Sequence, residues 1–98
     1  MPTNHTTIPE IVKKYRQEQQ LTLREFAEAL TTCCGESVTY QTIHNWENGV
    51  HKPSKWILVR TLRKCGDWRF DFADECLSVI DPKIWGDIST EMISQKEN

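Results

Sequence analysis

Tyr40, Gln41, His44 and Asn45 are the residues whose types and spacing point to chemistry. At 3.6 residues per turn they share one side of a helix. The chemistry available to them is recognition by hydrogen bonding. A carboxamide donates and accepts at once, so Gln41 or Asn45 can pair bidentately with an adenine edge, worth about 1–3 kcal/mol of discrimination. Bond-breaking chemistry is not expected. No Ser, Cys or carboxylate stands at a spacing that would make His44 a general base, and the chain is not read as an enzyme. The competing reading is a solvated polar face on a packing helix.

Cysteine is the second chemically capable type, at positions 33, 34, 65 and 76. The spacing is neither C-x-x-C nor a paired zinc-ligand pattern. Cys33 and Cys34 are adjacent and poorly placed to bridge one another. With His44 and His51 nearby in sequence, redox or metal sensing is the sharper reading of this region. Reduced, partly buried thiols, with no metal and no cofactor, are the expectation.

The elements that must position the polar quartet can be read from helix punctuation. Thr7-Ile8-Pro9-Glu10 and Thr22-Leu23-Arg24-Glu25 are capping boxes, in which the Thr hydroxyl accepts an early backbone N–H and the Glu reaches back to the cap. The first predicts a helix over 8–19 that buries Ile8, Ile11, Val12 and Tyr15; the second opens a helix facing inward through Leu23, Phe26, Ala27 and Leu30. Gly35 is suited to end that second helix. Thr39 caps a third predicted helix over 40–48, with Gly49 in the left-handed position that closes it. Only Ile43 and Trp46 anchor this helix, so its polar remainder depends on them for support. Further helices are predicted over 55–65, burying Leu58, Leu62 and Cys65, and over 68–80, burying Phe72, Ala73, Cys76, Leu77 and Ile80. Asp81-Pro82 ends the latter. Beyond Trp85 the chain turns polar and is expected to fray, although Ile88, Met92 and Ile93 could form a further amphipathic turn.

Ninety-eight residues, 38% of them apolar and 27% charged, suit one domain with one modest core. No apolar run approaches the roughly 18 residues of a membrane span, and the first ten residues lack the basic and apolar regions of a secretory signal. A cytoplasmic protein with no membrane partner is expected. The net charge of −2 argues against a polyanionic ligand until the chain is divided. Residues 1–66 carry nine Lys/Arg against six Asp/Glu, a net +3, and residues 67–98 carry three against eight, a net −5. Attraction to phosphate is set by charge within a Debye length of roughly 8–10 Å, so the local patch outweighs the sum.

Two short helices joined by a turn, the second showing a polar face, form the arrangement that seats side chains in a major groove about 12 Å wide. The order of residues sharpens this. The run from Leu21 to Leu30, then Val38 to Gly49, then Lys52-Pro53-Ser54 resembles the Cro/C1-type helix-turn-helix family of phage and bacterial regulators. The likeness covers about residues 8–65, and its most specific part is Ile43-x-x-Trp46-Glu47-Asn48-Gly49-x-x-Lys52-Pro53-Ser54. It implies an all-α, five-helix, lambda-repressor-like domain, with a short sixth helix allowed at the C-terminus. By the same resemblance, Tyr40, Gln41 and Asn45 contact bases, joined by His44 on the same helix face. Thr39 and Thr42 touch phosphate or cap the helix, and Asn48 and Lys52 hold the DNA backbone. Arg16 takes the position that pairs with Glu47 in some members, a buried ion pair that organises more than it stabilises. There are three departures: a longer turn through residues 31–37, Leu23 where many members place a phosphate-binding Gln, and the acidic extension from Trp68 to Trp85.

The expectation is therefore a sequence-specific DNA-binding transcriptional regulator, a repressor, acting as a homodimer on double-stranded DNA. Residues 1–66 form its core, and residues 67–98 add, within the same domain, an element for dimerisation or for a protein partner. The alternative is a protein-interaction module on the same fold, binding a regulator or toxin without reading DNA.

Overall fold

Polar caps begin the helices. In a computed structural model, which describes residues 7–88, the hydroxyls of Thr7, Thr22, Thr39 and Ser54 and the carboxylate of Asp67 each accept a backbone N–H from the first turn that follows. They open α1 (Ile8–Glu18), α2 (Leu23–Cys34), α3 (Tyr40–Glu47), α4 (Lys55–Lys64) and α5 (Trp68–Ile80). Both capping boxes are complete. Asp81 closes α5 through its own N–H, and its carboxylate accepts the Ile84 N–H at 3.1 Å, opening α6 over residues 82–88. The described residues are all helix, turn and loop, with no strand. Pro82 falls at the start of α6, where its missing N–H costs no hydrogen bond.

Apolar stripes explain how the helices pack. Ile8, Ile11, Val12 and Tyr15 of α1 are buried, as are Phe26, Ala27 and Leu30 of α2, with Leu23 only partly covered. Phe26 and Phe72 sit in an edge-to-face pair at 5.2 Å, flanked by Tyr15 at 5.9 Å from Phe72 and Trp68 at 5.3 Å from Phe26. This aromatic cluster joins α1, α2 and α5 into one core. Helix α5 packs on α1 and α4, while α3 is held between α1 and α2. Arg69 fastens the start of α5 to α2 by donating to the Ala29 carbonyl at 3.0 Å.

Two features refine or correct the sequence reading. Of the two courses allowed beyond Trp85, fraying or a sixth helix, the helical one holds over residues 86–88, where α6 continues and Ile88 is buried in the core. The reason is tertiary, because the Trp85 indole donates to the Asp74 carboxylate at 2.7 Å and ties α6 back to α5. Met92 and Ile93 lie outside the described residues. The second feature, a correction, concerns the thiols. Cys33, at the end of α2, and Cys65, capping α4, form a disulfide with Cα atoms 6.4 Å apart, a normal span for that bond. Reduced thiols are found only at Cys34 and Cys76, both buried. Burial pushes the Cys76 thiol well above the ordinary cysteine range.

Candidate nucleic-acid interface

The site is built around α3, eight residues that could not hold a helix alone. Thr39 caps it, accepting the Thr42 N–H at 3.3 Å and sharing a 3.1 Å hydroxyl contact with Thr42. Ile43 and Trp46 are buried against α1 and α2. The other end closes in a Schellman turn: Gly49 has φ 73°, its N–H reaches the Trp46 carbonyl, and the Val50 N–H reaches the Asn45 carbonyl at 2.9 Å.

Below α3 lies the ion pair. Arg16 donates to Glu47 from Nε at 2.5 Å and from Nη2 at 3.1 Å, while its Nη1 donates to the Leu21 carbonyl at 3.2 Å. One guanidinium therefore fixes the end of α3, α1 itself and the turn into α2. Glu47 is nearly inaccessible to solvent, so its charge depends on this fork for compensation.

The turn expected over residues 31–37 is partly helical, because residues 31–34 form the last turn of α2; the remaining connection to α3, residues 35–39, is tied down. Gly35 ends α2 at φ 78°, and Thr31 and Val38 bond reciprocally, hydroxyl to carbonyl at 3.1 Å and N–H to hydroxyl at 2.8 Å. Glu36 forms an ion pair with Arg60 of α4. The disulfide adds a covalent tie at the start of the same turn. The extra residues thus extend α2 as well as the connection and do not free α3.

With α3 fixed, its outer face can be described. Tyr40, 45% accessible, is exposed along with Gln41 and His44, and Asn45 is half-buried beside them. Gln41 Nε2 donates to Asn45 Oδ1 at 3.3 Å, so the two amides are held as a pair. Asn48 is exposed and turns one amide N–H back to the His44 carbonyl at 2.7 Å, which helps cap α3. Lys52 is exposed in the loop that follows. Thr42 is half-buried under the cap. These groups offer donors and acceptors for base edges, flanked by a cation, and no bond-breaking constellation. Among the described residues no group of three His, Cys, Asp or Glu side chains could hold a metal.

Two partnerships escaped the sequence reading. One is the Cys33–Cys65 bond, which no spacing rule suggests at a separation of 32 residues. The other is Arg24, placed from sequence only within the capping box that opens α2, whose guanidinium lies 4.6 Å from the Tyr40 ring centroid. A cation in the first turn of a helix is a weak local anomaly, since that end of the dipole favours anions.

A helix-turn-helix family model matches residues 12–60, half of the chain. Comparisons with curated proteins and with solved structures give no match.

Proposed function

The chain belongs to the Cro/C1-type helix-turn-helix family, and from that premise we propose that it is a sequence-specific DNA-binding transcriptional regulator, acting as a repressor. The observation that carries this reading is α3 itself. Its inner side is anchored by Ile43, Trp46 and the Arg16–Glu47 pair, and its outer side presents Tyr40, Gln41, His44 and Asn45. Inserted in the major groove, these four meet base edges, while Thr39, Thr42, Asn48 and Lys52 contact phosphates. The family is typically non-enzymatic, in keeping with a face built only for hydrogen bonding.

Residues 1–66 act as the DNA-binding core, and residues 67–98 act within the same domain as an association element. A homodimer places two recognition helices roughly 34 Å apart on an inverted repeat and doubles the phosphate contacts, which a protomer whose first 66 residues carry a net charge of only +3 needs. No helix among the described residues is long and apolar enough to cross a membrane. The net −5 of residues 67–98 favours a second reading, a protein partner bound there with or without DNA reading by α3.

The test is a titration into duplex DNA over a salt series, before and after two substitutions. Gln41→Ala should relax sequence preference by about 1–3 kcal/mol at one base pair. Lys52→Ala should weaken all sequences alike and lower the salt slope by about one. Failure of the unmodified protein to bind selected or genomic DNA at low salt would refute the regulator reading and leave the protein-partner reading standing.

A further inference from the structure

Arg24 and Tyr40 begin neighbouring helices, Arg24 in the first turn of α2 and Tyr40 as the first residue of α3. Both are exposed, and the guanidinium carbon lies 4.6 Å from the ring centroid. The ion pairs among the described residues engage Lys14, Arg16, Lys55, Arg60 and Arg69, so Arg24 enters none of them. Its position opposes the α2 dipole, so helix stability does not account for a cation there. A guanidinium over a ring is held by attraction of its charge to the π face, which leaves its N–H donors for a further partner. Those donors match the oxygens of a phosphate group, which they can engage through two parallel hydrogen bonds.

We propose that Arg24 is a specificity-determining residue of the DNA interface: it grips a backbone phosphate through its N–H donors while its charge holds the Tyr40 ring in the pose from which Tyr40 meets a base. The phosphate contact and the base contact are thereby coupled. Phosphate contacts alone position a protein without reading sequence, and a joined Arg–Tyr unit converts that positioning into discrimination at the base pair under Tyr40. The proposal rests on the DNA-binding reading above.

The test uses the full chain with Arg24→Ala, Arg24→Lys and Tyr40→Leu, each checked for an unchanged melting temperature, against duplexes varied one base pair at a time over a salt series. Arg24→Ala should lower the salt slope by about one and flatten preference at one base pair. Tyr40→Leu should flatten the same base pair while keeping the slope. Arg24→Lys should restore the slope and not the preference, because a strongly hydrated ammonium on a flexible stem does not hold the ring in place. If the unmodified protein binds DNA and Arg24→Ala changes neither slope nor preference, this proposal alone falls. A reduced slope with intact preference would make Arg24 a plain phosphate contact and overturn the coupling. If the unmodified protein binds no duplex, the DNA reading falls and this proposal with it.

Discussion

At the scale of single residues, Gln20 carries a cost that the fold tolerates. It follows the cap of α1 with φ 57°, the only non-glycine positive φ among the described residues. The turn is a Schellman closure, in which the Gln20 N–H reaches the Gln17 carbonyl and the Leu21 N–H reaches the Arg16 carbonyl, both at 3.0 Å. The equivalent position after α3 is Gly49, where the same geometry is unstrained. Gln20→Gly should therefore stabilise the protein by about 0.5–1 kcal/mol, since the left-handed conformation costs an L-residue roughly 1–2 kcal/mol and glycine returns part of that as chain entropy. Thermal melting checks it, with a rise of a few degrees expected. A β-branched residue there should melt lower than Gln, and the opposite order would remove strain as the explanation. The sequence marks Gly35 and Gly49 as helix ends because glycine signals the left-handed cap. It does not mark Gln20, because nothing in a Gln side chain announces that conformation.

Among the elements, local and distant determinants separate cleanly. The capped starts at Thr7, Thr22 and Thr39 and most of the buried stripes are legible in the sequence because a cap and a 3.6-residue period are local events. The register of the turn and the disulfide are not, because each depends on residues apart in the chain: Thr31 with Val38, Cys33 with Cys65; α6 is legible only as one of two courses, the choice resting on Trp85 with Asp74. The outward face of α3 was readable for the same local reason as its stripe, whereas the Arg24–Tyr40 contact depends on how two helices meet. The disulfide also has a consequence for stability. Closing a loop over a separation of 32 residues restricts the unfolded chain by about 3–4 kcal/mol in the chain-entropy description. Reductant, or Cys33→Ser, should lower the melting temperature by on the order of 10 °C or more. Cys34→Ser, which leaves the bond intact, should respond to reductant as the parent does. Superimposable melting curves with and without reductant would show that the bond contributes nothing.

For the whole molecule, association depends on the apolar surface left exposed. Trp56 of α4 is 60% accessible and Val79 of α5 is 46% accessible, although the remainder of both helices' apolar stripes is packed. The Lys55–Asp81 ion pair, at 3.9 Å, joins the start of α4 to the end of α5 beside these two side chains in sequence. If the protein dimerises through this side, sedimentation should find a dimer for the parent and a monomer for Trp56→Glu, both equally folded by circular dichroism. A monomeric parent, or a variant that stays dimeric, would remove Trp56 from the interface. The charge division follows the same architecture, with the basic excess on the part of the chain that contains α3 and the acidic excess on the part that contains α5 and α6. Topology adds one more consequence. Residues 33–65 form a covalently closed ring that contains all of α3 and α4. A single protease cut inside that ring opens it without producing two molecules, so a clipped chain keeps its recognition helix tethered. The fragments separate only when the cut and the reduction of one sulfur–sulfur bond occur together.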